Sequence, residues 1–120
     1  MTMIAITSTG PTLDDQVDPR FGRAAGFLIV DSETMDTSYL DNGQSQVMAQ
    51  GAGIQAAQLV ARAGVSWVLT GYVGPKAFQG LTATGIKVGQ NLEGLTVRQA
   101  VERFKSGSIE EAAVANRNQR

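Results

Sequence analysis

Val65-Ser66-Trp67-Val68-Leu69-Thr70-Gly71-Tyr72-Val73-Gly74-Pro75-Lys76-Ala77-Phe78 is the stretch that decides the fold. Its first six residues form an apolar, β-branched run of strand length. Gly71 and Gly74 then break the run into a loop. Pro75 has no N–H to lose and a φ already close to helical, so it suits the first turn of a helix that runs past Phe78 and Leu81 to about Thr84. A buried strand, a glycine loop and a helix in that order make one arm of a parallel crossover.

On the C-terminal side, Gly85 ends the helix and Ile86-Lys87-Val88-Gly89 reads as a short strand. Thr96 caps a last helix through Val97, Ala100, Val101 and Phe104, and Gln99, three residues on, completes the pattern of a capping box. Gly107 stops that helix. Ser108, followed by Glu110 and Glu111, is placed to cap a further helical turn, and Asn116 to Arg120 are expected to be disordered. On the N-terminal side, Gly51-Ala52-Gly53 opens a helix carrying Ile54, Ala57, Val60 and Ala61, with Gly64 as its stop. Met3 to Thr7 and Gly26 to Val30 are strands, Thr37 to Leu40 is a weaker hairpin partner, and Asn42 to Gln50 is a polar loop without periodicity. Helices alternate with strands only in the second half, so parallel crossovers belong there and an antiparallel hairpin in the first half. The class is α/β, a mixed sheet between helices.

Composition narrows the chemistry. The chain of 120 residues is one domain, and 42% apolar with 18% charged residues is enough to bury a core. It contains no Cys and no His. That removes disulfides, thiolate-held zinc or iron–sulfur sites, and His-based acid–base chemistry. A net charge of −1 argues against general nucleic-acid binding. No apolar run reaches the roughly 18 residues of a membrane span, and no basic region precedes an apolar run at the N-terminus; the expected location is the cytoplasm. The charge is uneven. Residues 1–60 hold two cations, Arg20 and Arg23, against seven carboxylates, whereas the second half is net positive.

Arg20-Phe21-Gly22-Arg23 is therefore an island of positive charge in an acidic half, although local pairing with Asp14, Asp15 or Asp18 also accounts for it. Two further glycine loops open helices: Gln50-Gly51-Ala52-Gly53 and Gly71-Tyr72-Val73-Gly74-Pro75-Lys76. The free N–H groups of a helix start, the closeness that glycine permits and the charge of Lys76 suit an anion. Neither loop is a Walker A or a full Gly-x-Gly-x-x-Gly fingerprint, and each also reads as plain turn chemistry. Met48, beside the first loop, is the one soft sulfur donor in such a place, and Phe21 and Tyr72 are loop aromatics able to form a wall; packing also accounts for Met48.

Taken in order, Val17-Asp18-Pro19-Arg20-Phe21-Gly22-Arg23-Ala24, Gly51-Ala52-Gly53-Ile54-Gln55-Ala56-Ala57, Thr70 to Phe78, and Ala83-Thr84-Gly85-Ile86-Lys87-Val88 resemble the dinitrogenase iron–molybdenum cofactor accessory family over residues 1–107. The resemblance implies a three-layer α/β/α sandwich with a five-stranded mixed sheet of ribonuclease H-like type. It implies a single binding domain over 1–107 and a partly disordered tail over 108–120. It also implies a monomeric, non-enzymatic carrier, most similar to members that hold a mixed molybdenum–copper sulfide cluster without covalent attachment. Relatives often have His where this chain has Arg20. With neither Cys nor His, no direct protein ligand to metal is expected, and the cluster is a complete anionic guest. Its diffuse sulfide acceptors would be served by guanidinium and backbone N–H: Arg20 and Arg23 for charge, Gly22, Gly51, Ala52, Gly53, Gly71, Gly74 and Lys76 around it, and Phe21, Met48, Tyr72 and Val73 for apolar contact. Two other functions compete. One is an interaction or regulatory module working with ATPases of the cell-division type, partners that the resemblance implies. The other is a metal-dependent nuclease-like enzyme, which would need clustered carboxylates from Asp14, Asp15 and Asp18.

Overall fold

A computed structural model describes residues 2–46, 48 and 50–116, with Gln44 and Ser45 described through their backbone only. The elements are β1 (Met3–Ser8), β2 (Gly26–Asp31), β3 (Thr37–Asp41), α1 (Gly43–Gln46), α2 (Ala52–Arg62), β4 (Trp67–Leu69), α3 (Pro75–Ala83), β5 (Lys87–Gly89) and α4 (Val97–Lys105). The five strands form one sheet in the order β3-β2-β1-β4-β5. β1 pairs antiparallel with β2 and parallel with β4, so the sheet changes sense at its centre. The hairpin β2–β3 and the parallel pair β4–β5 complete it.

The central strands of the sheet are buried on both faces, which is why they read as continuous apolar runs, whereas the edge strand β3 is mostly exposed. The period of two sorts their side chains. Ala5, Phe27, Ile29, Val68 and Val88 face one core with Ala56, Ala57 and Val60 of α2 and Ala77 and Leu81 of α3. Ile4, Ile6, Leu28, Val30 and Leu69 face the other with Val97, Ala100 and Val101 of α4. This is the expected three-layer sandwich: α2 and α3 over one face, α4 over the other. Trp67 meets Phe104 edge-on, ring centroids 5.2 Å apart, and so pins the end of α4 to the sheet.

Small residues draw α2 and α3 together. A Cβ added to Gly53 would lie 3.0 Å from the Cβ of Ala77, and one added to Gly80 would lie 3.5 Å from that of Ala57. α4 starts differently. Thr96 Oγ1 accepts from the N–H of Gln99 at 3.1 Å while the Gln99 side chain accepts from the N–H of Thr96 at 3.0 Å, a complete capping box. Thr96→Ala is expected to cost about 1 kcal/mol, a fall of roughly 3–6 °C in Tm by calorimetry, without changing what the far side of the sheet binds.

Three local expectations are corrected. Residues 43–46, read as loop, make one helical turn, too short and too polar to show a period. Among the described residues no helix follows Ser108: Ser106 and Ser108 hydroxyls meet at 2.8 Å and residues 108–116 stay irregular. Asn116, expected to be disordered, is held by hydrogen bonds from its side chain and backbone; residues 117–120 lie outside those described. Among the described residues, no helix is long and apolar enough to cross a membrane.

Candidate functional site

The site begins at the adjacent carboxyl ends of β1 and β4, the place in an α/β sheet where loops gather. Thr7, on β1, puts its hydroxyl oxygen 2.7 Å from the carbonyl oxygen of Asp18 and 2.8 Å from the hydroxyl oxygen of Thr70, just past β4. All three residues are buried. This knot lays the segment 17–21 across the strand ends. The segment next pairs with the loop after β4: Tyr72 N–H donates to the Pro19 carbonyl at 2.8 Å and Phe21 N–H to the Tyr72 carbonyl at 3.1 Å. Asp18 is 4% exposed, and its Oδ1 accepts from Arg20 N–H at 3.1 Å with Arg20 Nε at 3.6 Å. The Arg20 side chain stays 45% exposed, so its charge is still available at the mouth of the site.

Close backbone approach locks the second side. A Cβ on Gly22 would lie 2.9 Å from both the N and the Cα of Gly53, in the first turn of α2. Asn42, buried between β3 and α1, donates its amide to the carbonyls of Gly22 at 3.2 Å and Ala24 at 3.0 Å. Arg23 Nη1 donates to the Met48 carbonyl at 2.6 Å and the Gln46 carbonyl at 3.2 Å, tying down the segment that leads into α2.

The result is a cavity of about 430 Å³. It joins three segments distant in sequence: Arg20, Phe21, Gly22 and Arg23; Gln50, Gly51, Ala52, Gly53 and Ile54; and Tyr72, Gly74, Pro75, Lys76 and Ala77. Both α2 and α3 begin on it. Their N-caps are Gly51 and Gly74, neither with a side-chain cap hydrogen bond, and neither helix has an acidic residue in its first turn. The first N–H groups of each helix have no intrahelical acceptor, and both positive dipole ends converge on one cavity. The contrast with the fully boxed start of α4, on the opposite face of the sheet, is direct.

Ten of the thirteen residues proposed from the sequence line this cavity. Phe21 does so only at the floor: it is 1% exposed and packs with Phe27 at a centroid distance of 5.6 Å, so its ring belongs to the core. Val73 is fully buried beneath the loop and Gly71 is pressed onto Pro19. Met48 lends its carbonyl to Arg23 and brings its Cε to 3.6 Å from the Cβ that Gly51 lacks, behind the lining. Arg23 anchors a wall as well as lending charge. Gln50, Ile54, Pro75 and Ala77 were missed. Ile54 would join the core stripe by helical spacing, yet it is 44% exposed at the mouth; its place in the first turn after a glycine was the signal. The candidate nuclease carboxylates disperse: Asp14 pairs with Arg98 at 3.2 Å, Asp15 takes the N–H and hydroxyl of Thr12, and Asp18 is bound to Arg20. Among the described residues no group of three or more His, Cys, Asp or Glu is placed to hold a metal ion.

Against this geometry, the profile of the dinitrogenase iron–molybdenum cofactor family matches residues 1–107. The apo form of the orange protein from Desulfovibrio gigas superposes with a TM-score of 0.95 at 62% identity, covering 98% of each chain. A protein from Thermotoga assigned to NifB superposes with a TM-score of 0.84 at 34% identity over 99% of this chain and 100% of its own. An uncharacterized protein of Methanocaldococcus jannaschii is 27% identical over 103 residues, 83% of this chain and 86% of that protein.

Proposed function

This chain belongs to the dinitrogenase iron–molybdenum cofactor family, and from that premise we propose that it is a non-enzymatic carrier of an anionic molybdenum–copper sulfide cluster. The observation that carries the reading is the convergence of two uncapped helix starts on one cavity, with Arg20 and Lys76 beside them. Such a site stabilises negative charge through N–H groups and dipoles without supplying an electron pair to a metal. A cluster whose metals are already satisfied by sulfide needs no more. The chain offers no Cys and no His to replace those sulfides. Ile54, Tyr72 and Pro75 add apolar surface to the same lining, which suits sulfide, a soft and weakly hydrated acceptor, better than a hard oxyanion.

Each side chain has a part. The first turns of α2 and α3 would donate N–H groups, Arg20 and Lys76 would balance charge, and Arg23 would hold Gln46 and Met48 beside the start of α2. No bond to the protein is made or broken, so loading and release are binding steps.

The reading is tested by mixing apo-protein with tetrathiomolybdate and copper, desalting, and measuring molybdenum and copper in the protein fraction, with molybdate and copper as the comparison. Co-elution of both metals from the thiomolybdate sample alone is expected; no metal in the protein fraction sinks the carrier. Arg20→Gln with Lys76→Gln is expected to lower retention about tenfold at low salt and to flatten its salt dependence, because the lost attraction is the part that ions screen.

A further inference from the structure

The segment 108–116 lies beyond the family match, yet it reaches the cavity loop. It runs back along β5, where Ala112 N–H donates to the Val88 carbonyl at 2.8 Å, and the Gln90 side chain donates to the Val114 carbonyl at 3.0 Å. It delivers Asn116, whose backbone N–H donates to Gln90 Oε1 at 2.8 Å. The Asn116 side chain then straddles Tyr72. Its Oδ1 accepts from the N–H of Val73 at 3.0 Å, and its Nδ2 donates to the Gly71 carbonyl at 3.0 Å and to Asn91 Oδ1 at 2.8 Å.

Two facts make this more than surface decoration. Val73 is fully buried, and its N–H is served by a side chain 43 residues away; a backbone donor in that position must find a partner. The peptide units on either side of Tyr72 are also gripped from both edges, by Asn116 on one and by Pro19 and Phe21 on the other. That clamp sets the place of Tyr72 and of Gly74, which starts α3, and both line the cavity. The clamp itself is held to the rest of the molecule at few points: Ile109 and Ala112 pack against the two cores, while most of residues 108–116 are exposed.

We infer that Asn116 is a positioning residue for the cargo site, and that the segment 108–116 acts as a releasable latch on the 71–74 loop. The inference rests on the carrier reading for the identity of the cargo, but not for the existence of the latch. With the latch closed, the loop presents the start of α3 to the anion. With it open, Val73 N–H is freed and the loop drifts, so cargo leaves faster.

The test uses the full chain in two variants. Asn116→Ala removes the clamp, and Gln90→Ala loosens the segment that carries it without touching the loop. Amide hydrogen exchange on cargo-free protein is expected to show Val73 N–H exchanging about three- to tenfold faster in both, the range of one net hydrogen bond, with Tm changed by less than about 3 °C. Asn116→Asp keeps the acceptor for Val73 N–H but sets a carboxylate oxygen against the Gly71 carbonyl, and is expected to restore protection of Val73 only in part. Loss of tetrathiomolybdate–copper from loaded protein is expected to quicken about three- to tenfold in Asn116→Ala. Unchanged exchange at Val73 in both variants overturns the latch, and faster exchange with unchanged probe loss overturns the positioning role. A wild-type chain that takes up no probe overturns the carrier reading and the positioning role with it; exchange, read without cargo, keeps that failure separate from failure of the latch.

Discussion

Gly71→Ala is expected to be the most damaging single methyl that this chain could receive near its site. The added Cβ would stand 2.5 Å from the carbonyl oxygen of Pro19 and 2.7 Å from its Cα. Both are backbone atoms, so no rotamer relieves the overlap. One of the two segments must move, and with it go the Tyr72 to Pro19 and Phe21 to Tyr72 hydrogen bonds and the fit of Phe21 in the core. A loss of about 3 kcal/mol is expected, roughly 10–15 °C in Tm, accompanied, on the proposed carrier reading, by loss of the tetrathiomolybdate–copper probe at temperatures where the protein is still folded. Circular dichroism melting with metal analysis on the desalted protein checks both. A Tm within about 2 °C of wild type would show that the segment 17–21 yields easily and does not define the cavity.

Arg23→Ala is expected to reduce retention about tenfold or more, for a reason that charge alone does not give. Its guanidinium spans the Gln46 and Met48 carbonyls and so holds the approach to Gly51, where α2 begins. Hydrogen bonds from a charged donor of this kind contribute about 1.5–3 kcal/mol. Their loss should appear both in Tm and as faster amide exchange in the first turn of α2. Arg23→Lys should rescue only in part: both bonds leave one nitrogen, Nη1, which the planar guanidinium holds in place, whereas the shorter lysine side chain must bring a freely rotating, strongly hydrated ammonium to the same two carbonyls. If Arg23 only lent charge to the anion, Lys would largely restore retention and Tm would not move. The two variants measured together by calorimetry and desalting decide between wall and counter-charge.

The layers of the fold were legible in the sequence because local signals agreed. Apolar runs at 26–30 and 65–70, a Pro at the first position of α3, and Thr96 with Gln99 each named an element on their own. The segments of the cavity were legible too, as glycines preceding helices. Their meeting was not. It depends on the exchange between Thr7, Asp18 and Thr70 and on the contact of Gly22 with Gly53, pairs from 11 to 63 residues apart with no periodic signature. The second role of Arg23, as an anchor of the wall, was hidden in the same way. Sequence records a cation, while its carbonyl partners are backbone groups present at every residue and therefore silent. Phe21 looked like a wall because it sits in a loop, but the loop folds inward at that residue. Asn116 carried no signal at all, since a polar residue in an irregular tail gives composition nothing to grip.

The bare starts of α2 and α3 reach beyond cargo. Helix ends without a cap of their own attract anions in general, hard oxyanions less well than soft sulfide ones at this lining, so sulfate or phosphate at high concentration is expected to compete weakly and to raise the melting temperature. An ion present at a hundred times its dissociation constant raises the unfolding free energy by about 2.7 kcal/mol. Melting temperatures taken in phosphate and in a non-coordinating buffer would therefore describe two different ligation states. Loading with tetrathiomolybdate and copper is therefore best compared after dialysis against a weakly binding salt, where such competition is smallest.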